Sequence, residues 1–145
     1  MTQINCSIFV PFSVTKMYSL VNDIESYPEF VSGCVSSQIL DSSPIEMTAS
    51  MDIFTTGIMR QTLVTRNTLI NNHSIQIQLI KGPFQELNGI WRFSAENAES
   101  CRITFNLYIE FNHIFMELAF NKICKTISKH FLEAFSRRAK EVYFV

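Results

Sequence analysis

The stretch CRITFNLYIEF, residues 101–111, alternates apolar and polar side chains, and the segment after it has a different period. Alternation with a period of two predicts a β-strand with one apolar face. From Asn112 to Phe144 there is no Gly or Pro, and the apolar residues recur every three or four positions, as on one face of a helix. These apolar positions are Phe120, Ile123, Cys124, Ile127, Phe131, Ala134, Phe135 and Val142. The sequence therefore predicts a strand that leads into one long amphipathic helix.

The same alternation extends back from this strand to Cys34, and residues typical of turns interrupt it. The predicted turns are Asp41–Pro44, Thr56-Gly57, Asn71-Asn72, Gly82-Pro83 and Asn97. They divide the region into about six antiparallel strands, the usual outcome when short alternating runs are separated by turns.

The N-terminal part of the chain predicts one further strand and two short helices. Gln3–Val10 alternates like the later strands. A helix over Val14–Val21 follows a serine that can cap it, and Asp23 can cap a second short helix through Phe30. Gly33 is expected to stop that second helix.

Six or seven antiparallel strands with one apolar face need a cover, and the C-terminal helix is the only predicted element long enough to supply it. We therefore expect an α+β helix-grip fold. In this fold a curved antiparallel sheet wraps around the long C-terminal helix, with two short helices after the first strand. No linker, repeat or low-complexity segment interrupts the chain, so residues 1–145 are expected to form a single domain.

Composition and charge exclude several classes of protein. With 47% hydrophobic and 17% charged residues, the chain of 145 residues is not intrinsically disordered. Residues 1–57 carry one lysine against six acidic residues, and residues 58–145 carry eleven Lys and Arg against seven. Such a dipolar chain is not a general DNA-binding protein. The four cysteines are far apart in the sequence, so we expect free, buried thiols. We also expect a cytoplasmic location, which includes peripheral contact with the inner membrane.

The sequence contains no recognisable catalytic or metal-binding pattern. Asp23, Glu25 and Glu29 are close together, but a short polar helix predicts that they face solvent. The three histidines lack the spacing of metal ligands, and there is no nucleophile motif and no glycine-rich phosphate loop. We therefore expect a protein that is not an enzyme, with no metal and no covalently attached cofactor.

Several stretches, in order and along nearly the whole chain, resemble one known family. They are Val10-Pro11-Phe12-Ser13, Met17-Tyr18, Leu20-Val21-Asn22-Asp23-Ile24, Tyr27-Pro28-x-Phe30, Gly33-Cys34, Thr65-Arg66-Asn67, Gly82-Pro83-Phe84, Leu87-x-Gly89-x-Trp91-x-Phe93 and Ala134-Phe135-x-x-Arg138-Ala139-Lys140-x-Val142-Tyr143. The chain is similar to the ribosome-association toxins (RatA-type) and coenzyme Q-binding proteins. These form a branch of the START-like, polyketide cyclase-like superfamily.

The resemblance implies a ligand tunnel between the sheet and the C-terminal helix. Large apolar and flexible side chains at inward positions suit an elongated prenyl chain. The predicted ligand-binding residues are Phe30, Met47, Met51, Trp91, Phe93, Phe105, Phe120, Ile127, Phe131 and Arg138. The alternative is that these side chains simply form the packed core.

Arg138 is a separate case because it is a charge on the apolar side of the helix, in line with Phe120 and Phe131. A charge in this position must be paired or must reach water. One interpretation is a structural ion pair or a side chain that reaches solvent. The other is an anchor for a quinone oxygen at the end of the tunnel.

The opposite side of the helix is basic. Its cations are Lys122, Lys125, Lys129, Arg137 and Lys140, and Glu133 lies among them. The pattern is typical of a solvated helix face, and it is also suited to contact with ribosomal RNA or an anionic membrane surface.

Two functional hypotheses follow. The first is a non-enzymatic protein that holds ubiquinone, or a similar polyprenyl lipid, in the tunnel and supports respiration. The second, which the toxin branch of the family implies, is a protein that binds the large ribosomal subunit, blocks subunit association and so inhibits translation. A polyketide cyclase-like enzyme is a distant third, since no acid–base pair is visible.

Overall fold

The computed structural model describes residues 2–55 and 58–144, apart from the side chains of residues 55, 58, 59, 123 and 125. The strands are β1 (Thr2–Val10), β2 (Cys34–Ser42), β3 (Glu46–Thr55), β4 (Ile58–Ile70), β5 (Ser74–Lys81), β6 (Phe84–Asn97) and β7 (Ser100–Phe111). The helices are α1 (Val14–Asn22), a 3-10 helix (Ile24–Glu29) and α2 (Ile114–Tyr143). The predicted order of elements is confirmed.

The seven strands form one antiparallel sheet in the order β1-β7-β6-β5-β4-β3-β2. The sheet is a meander from β2 to β7, and β1 adds to the edge beside β7. In the β6–β7 register, Trp91 lies opposite Phe105 and Phe93 lies opposite Ile103. All four side chains are buried, because alternate residues of a strand face the same side of the sheet.

Helix α2 covers the inner face of the sheet, where it contacts β1, β4 and β7. Its C-terminal half is the better buried part, with Leu132 at 3% exposure and Phe135 and Ala139 at 0%. Helix α1 packs on β6 and α2 and adds its own buried residues to the core. The predicted α+β helix-grip fold is confirmed.

The second predicted short helix is confirmed, and it is a 3-10 helix. Ile24–Glu29 is a 3-10 helix with Pro28 inside it, and a proline has no N–H for an α-helical hydrogen bond. Asp23 does not cap it through its side chain, but accepts a hydrogen bond of 2.6 Å from the Ser26 hydroxyl. Gly33 has a φ of 90° and forms the turn into β2, a conformation that favours glycine.

Smaller differences concern single residues. Val142 is exposed, so its predicted place on the apolar face is wrong. The last turn of α2 packs instead through Tyr143, whose ring lies 5.8 Å from that of Phe12. The predicted turn Thr56-Gly57 lies outside the described residues.

The four thiols are free, as predicted, but only two of them are buried. Cys34 and Cys101 are buried, while Cys6 and Cys124 are half-buried. Burial raises the pKa of the Cys101 thiol to about 11. This thiol is therefore uncharged at neutral pH and a poor nucleophile.

Candidate functional site

An apolar cavity of about 240 Å³ lies between the sheet and α2. Side chains from β1, from β3 to β7, from α1 and α2, and from the 3-10 helix and the turn after it line it. The lining residues are Ile4, Val21, Asn22, Ile24, Tyr27, Val31, Ala49, Met51, Ile53, Leu63, Thr65, Asn67, Ile75, Ile77, Phe84, Leu87, Trp91, Phe105, Leu107, Ile109, Phe120, Ile127 and Phe131. Such a site is suited to an apolar ligand with few hydrogen-bonding groups.

Three aromatic rings form one wall of the cavity. Trp91 and Phe105 are directly opposite each other on β6 and β7, with ring centroids 4.5 Å apart. Phe131 of α2 lies against both, at 5.6 Å from Trp91 and 5.1 Å from Phe105. These tilted contacts are favourable for aromatic pairs and fix the rings in place.

The cavity also has a small set of polar groups. Besides Tyr27 and Trp91, the polar lining side chains are Asn22, Thr65 and Asn67. The Thr65 hydroxyl donates to Asn67 Oδ1 over 3.0 Å. Asn22 Oδ1 is buried and has no hydrogen-bond partner among the described residues. A buried oxygen in this state is unusual in proteins.

Tyr27 is the only ionisable side chain among the described residues that line the cavity. Its hydroxyl donates to the backbone carbonyl oxygen of Val21. Burial, with smaller contributions from Cys34 and Asp23, raises the pKa of Tyr27 well above its usual range. The hydroxyl therefore stays protonated and remains a hydrogen-bond donor.

Six of the predicted ligand-binding residues line the cavity. They are Met51, Trp91, Phe105, Phe120, Ile127 and Phe131. The other four do not: Met47 and Phe93 are buried in the surrounding core, and Phe30 packs on Phe135 with ring centroids 5.1 Å apart. That any of these residues binds a ligand stays a prediction.

Arg138, the fourth of these residues, has protein partners for its charge. Its guanidinium lies 3.5 Å from Glu29, 3.8 Å from Glu141 and 5.3 Å from the centre of the Phe30 ring. The side chain is 21% exposed. This is the structural ion pair that the sequence left open. A role as quinone anchor stays a prediction.

Asn22, Thr65 and Asn67 are site residues that were not predicted from the sequence. Thr65 and Asn67 follow Leu63 on the inner face of β4, where a polar side chain is unexpected. Both also fall in Thr65-Arg66-Asn67, and Asn22 falls in Leu20–Ile24, two of the stretches that carry the family resemblance. A polar residue at a position predicted to face inward is therefore the sequence signal that could have identified these residues.

The second candidate site is the outer face of α2. Lys122, Lys129, Arg137 and Lys140 are exposed, and we call these four residues the basic surface. The predicted Lys125 belongs to the same helix, but its side chain lies outside the described residues. Within the described part of the chain, none of the four cations makes an ion pair.

Three arginines on the outer face of the sheet differ in this respect. Arg60 lies 2.9 Å from Asp52, Arg66 lies 3.3 Å from Glu46, and Arg102 lies 3.7 Å from Glu96. Hydrogen bonds from Thr62 and then Arg60 lower the pKa of Asp52, so this carboxylate stays charged. These arginines are less available to an anionic partner than the cations of α2.

The acidic residues that were expected to face solvent do so: Asp23, Glu25 and Glu29 are exposed. Over residues 2–55 and 58–144, there is no group of His, Cys, Asp or Glu side chains that could hold a metal ion. Within the same residues, no helix is long and apolar enough to cross a membrane.

An antiparallel sheet that holds a long helix over an apolar cavity defines a START-like helix-grip protein. The sequence model of the family described as polyketide cyclase / dehydrase and lipid transport matches residues 10–136. The chain belongs to this family.

Individual relatives place the chain within the family. It is 46% identical to the ribosome association toxin RatA of Escherichia coli K12 over 143 residues, 99% of this chain and 90% of that protein. It is 24% identical to the mitochondrial coenzyme Q-binding protein COQ10 homolog B of Xenopus laevis, over 91% of this chain and 55% of that protein. A START superfamily protein from Mycobacterium smegmatis has a TM-score of 0.83 at 18% identity, over 97% of this chain and 98% of that one. The structural likeness shows the fold alone.

Proposed function

We propose that this protein associates with the ribosome through the outer face of α2. The observation that carries the proposal is the 46% identity, along 99% of the chain, to a protein named ribosome association toxin RatA. The family resemblance implies the large subunit as the partner, and blocked subunit association with inhibited translation as the result. Both are part of the proposal.

The basic surface supports this choice of contact. Its four cations are exposed and unpaired within the described part of the chain, so they can approach RNA phosphates without first losing a carboxylate partner. Each phosphate that a cation neutralises releases condensed counterions, which favours binding at low salt. Glu133 interrupts the surface in sequence, but its carboxylate lies 3.3 Å from His130 on the same helix.

Sedimentation with purified large subunits at increasing salt tests this contact. We expect Lys122→Gln with Lys129→Gln to weaken binding and to reduce the log–log salt slope by about 0.7 to 0.9 for each phosphate that is no longer neutralised. The matched control is Arg66→Gln with Arg102→Gln, which removes the same charge from the outer face of the sheet. Equal weakening in both variants, or unchanged sedimentation of the lysine variant, would remove α2 from the interface.

We propose, as a second function, that the cavity binds a hydrophobic small molecule without chemical conversion. The observation that favours it is the cavity, whose described wall holds no ionisable side chain other than the neutral Tyr27. The distant relative named as a coenzyme Q-binding protein suggests ubiquinone or a similar prenyl lipid as the ligand. The proposal requires no metal and no covalently attached cofactor.

The volume of the cavity limits how much of such a ligand can be enclosed. An engineered cavity of about 150 Å³ in another protein takes up one benzene molecule. The cavity of about 240 Å³ here is therefore matched to one substituted ring or a short isoprenoid segment. A long prenyl tail would have to extend beyond it.

Trp91 offers a direct measurement because it is the only tryptophan in the chain and lies on the cavity wall. Titration with decylubiquinone, a quinone with a short alkyl tail, should quench its fluorescence with a saturable curve. Ala49→Phe fills the cavity and should abolish the saturation, whereas Ala95→Phe adds the same volume at an exposed position of β6 and should not. Saturable quenching that survives in Ala49→Phe would contradict cavity binding.

A further inference from the structure

The first turns of α2 carry three large apolar side chains that the rest of the protein leaves in water. Ile114, Phe115 and Leu118 are 59%, 72% and 51% exposed, and we call these three residues the apolar patch. The Phe115 ring lies 5.6 Å from that of His113, but His113 is exposed as well, so this contact does not bury the ring. Apolar side chains grouped on a surface indicate a contact site, whereas isolated ones do not.

Two exposed lysines continue the line of the apolar patch along the helix. At about 3.6 residues per turn, Leu118, Lys122 and Lys129 all lie within about 60° of Phe115 around the helix axis. Glu117 is the only acidic residue between Phe115 and Lys129 in the sequence, and it lies on the other side of the helix, about 160° from Phe115. A flat surface laid along this side of α2 therefore meets apolar side chains first and positive charges next.

The size of the apolar patch favours a lipid bilayer over a protein partner. A large apolar side chain has on the order of 200 Å² of surface, so the three exposed fractions together leave roughly 350 Å². A stable protein–protein interface buries about 800 Å² on each partner. Peripheral binding to a membrane requires less, because a few inserted apolar side chains act together with cations that attract anionic head groups.

We propose that this side of α2 docks on an anionic lipid bilayer, with the apolar patch inserted among the head groups and with Lys122 and Lys129 on the lipid phosphates. Lysine is suited to this place, since its apolar stem can lie along the acyl boundary while its ammonium group stays in water. The ribosome contact proposed above uses the cations but not the apolar patch, so the two contacts can be tested separately. Because both partners use the same lysines, they exclude each other.

Co-sedimentation of the full chain with vesicles tests the docking. The vesicles are phosphatidylcholine alone, or phosphatidylcholine mixed with phosphatidylglycerol. We expect binding to the mixed vesicles, and Phe115→Gln with Leu118→Gln should weaken it at least tenfold because apolar burial is lost. The matched control is Phe9→Gln with Leu40→Gln, at exposed positions of β1 and β2, which should leave binding unchanged. Equal weakening in the two variants, or no binding of the unchanged protein, would overturn the proposal.

The contribution of charge is measured with the same vesicles. Lys122→Gln with Lys129→Gln should weaken binding to the mixed vesicles by about fivefold for each lysine, since each cation near an anionic surface contributes about that much. Binding to phosphatidylcholine alone should not change. A lysine variant that keeps the full preference for the mixed vesicles would contradict docking by this side of the helix.

The same apolar variant separates the bilayer from other partners. Phe115→Gln with Leu118→Gln should keep its fold, because both sites are exposed and glutamine favours helix, and should sediment with large ribosomal subunits as before. If it keeps vesicle binding but loses the ribosome, or loses an association between two copies of the chain, the apolar patch belongs to that partner and the proposal is overturned.

Discussion

The two halves of α2 show what one helix contributes to stability and to binding. In the C-terminal half, Leu132, Phe135 and Ala139 are at most 3% exposed and do not line the cavity. In the N-terminal half, Phe120 and Ile127 are half-buried cavity residues, while Phe115 is 72% exposed. Phe131 lies at the boundary and contacts both regions. The C-terminal half is therefore the more tightly packed part of the helix, whereas the N-terminal half contacts β7 through Phe120 and Phe111 and borders the cavity.

The largest expected effect is on Phe135. Phe135→Ala should lower the free energy of unfolding by about 3–5 kcal/mol, since the ring is fully buried among other rings. Phe131→Ala, one turn earlier, should cost about 2 kcal/mol, because one side of that ring faces the cavity rather than packed atoms. Urea unfolding of both variants measures the difference. Equal losses of unfolding free energy in the two variants would contradict the difference in packing between the tightly packed part of α2 and the part that borders the cavity.

Added volume provides the converse test. Ala139→Leu should destabilise the protein by about 1–3 kcal/mol, because the site is fully packed. Ala49→Leu adds the same atoms beside the cavity and should cost less than about 1 kcal/mol. Should Ala49→Leu be as destabilising as Ala139→Leu, the space between sheet and helix is ordinary core.

The ion pair of Arg138 should contribute less. Arg138→Met should change the free energy of unfolding by at most about 1 kcal/mol, because the partner Glu29 is largely in water. With Arg138 off the cavity wall, we expect its loss to leave quenching of Trp91 by decylubiquinone unchanged. Quenching that requires severalfold more quinone would show that Arg138 is the head-group anchor.

The smallest effect is expected at the start of the helix. Phe115→Ala should change the free energy of unfolding by less than about 0.5 kcal/mol, since the side chain is mostly in solvent. Phe115→Ala, Phe131→Ala and Phe135→Ala make the same substitution at three positions along α2, so their effects on the free energy of unfolding can be compared directly. A loss above about 1 kcal/mol at Phe115 would mean that this side chain is packed against the rest of the protein rather than in solvent.

The sequence alone predicted the fold because its periods are local. Residues 101–111 place Cys101, Ile103 and Phe105 on one face of β7, and the structure buries all three. The helical spacing after Asn112 likewise predicted α2 to within two residues of its bounds. Prediction failed at single residues such as Val142, which is exposed although the helical spacing places it on the apolar face.

Only the tertiary structure decided which inward residues border a space and which fill the core. Trp91 and Phe93 have the same pattern in sequence, yet Trp91 lines the cavity and Phe93 does not. The polar surroundings could not be predicted from the sequence either: Arg138 lies beside Glu29, and Asn22 of α1 and Asn67 of β4 both line the cavity. These residues are far apart in the chain. Periodicity determines the direction of a side chain from its own element, whereas a contact between distant residues depends on how the elements pack together.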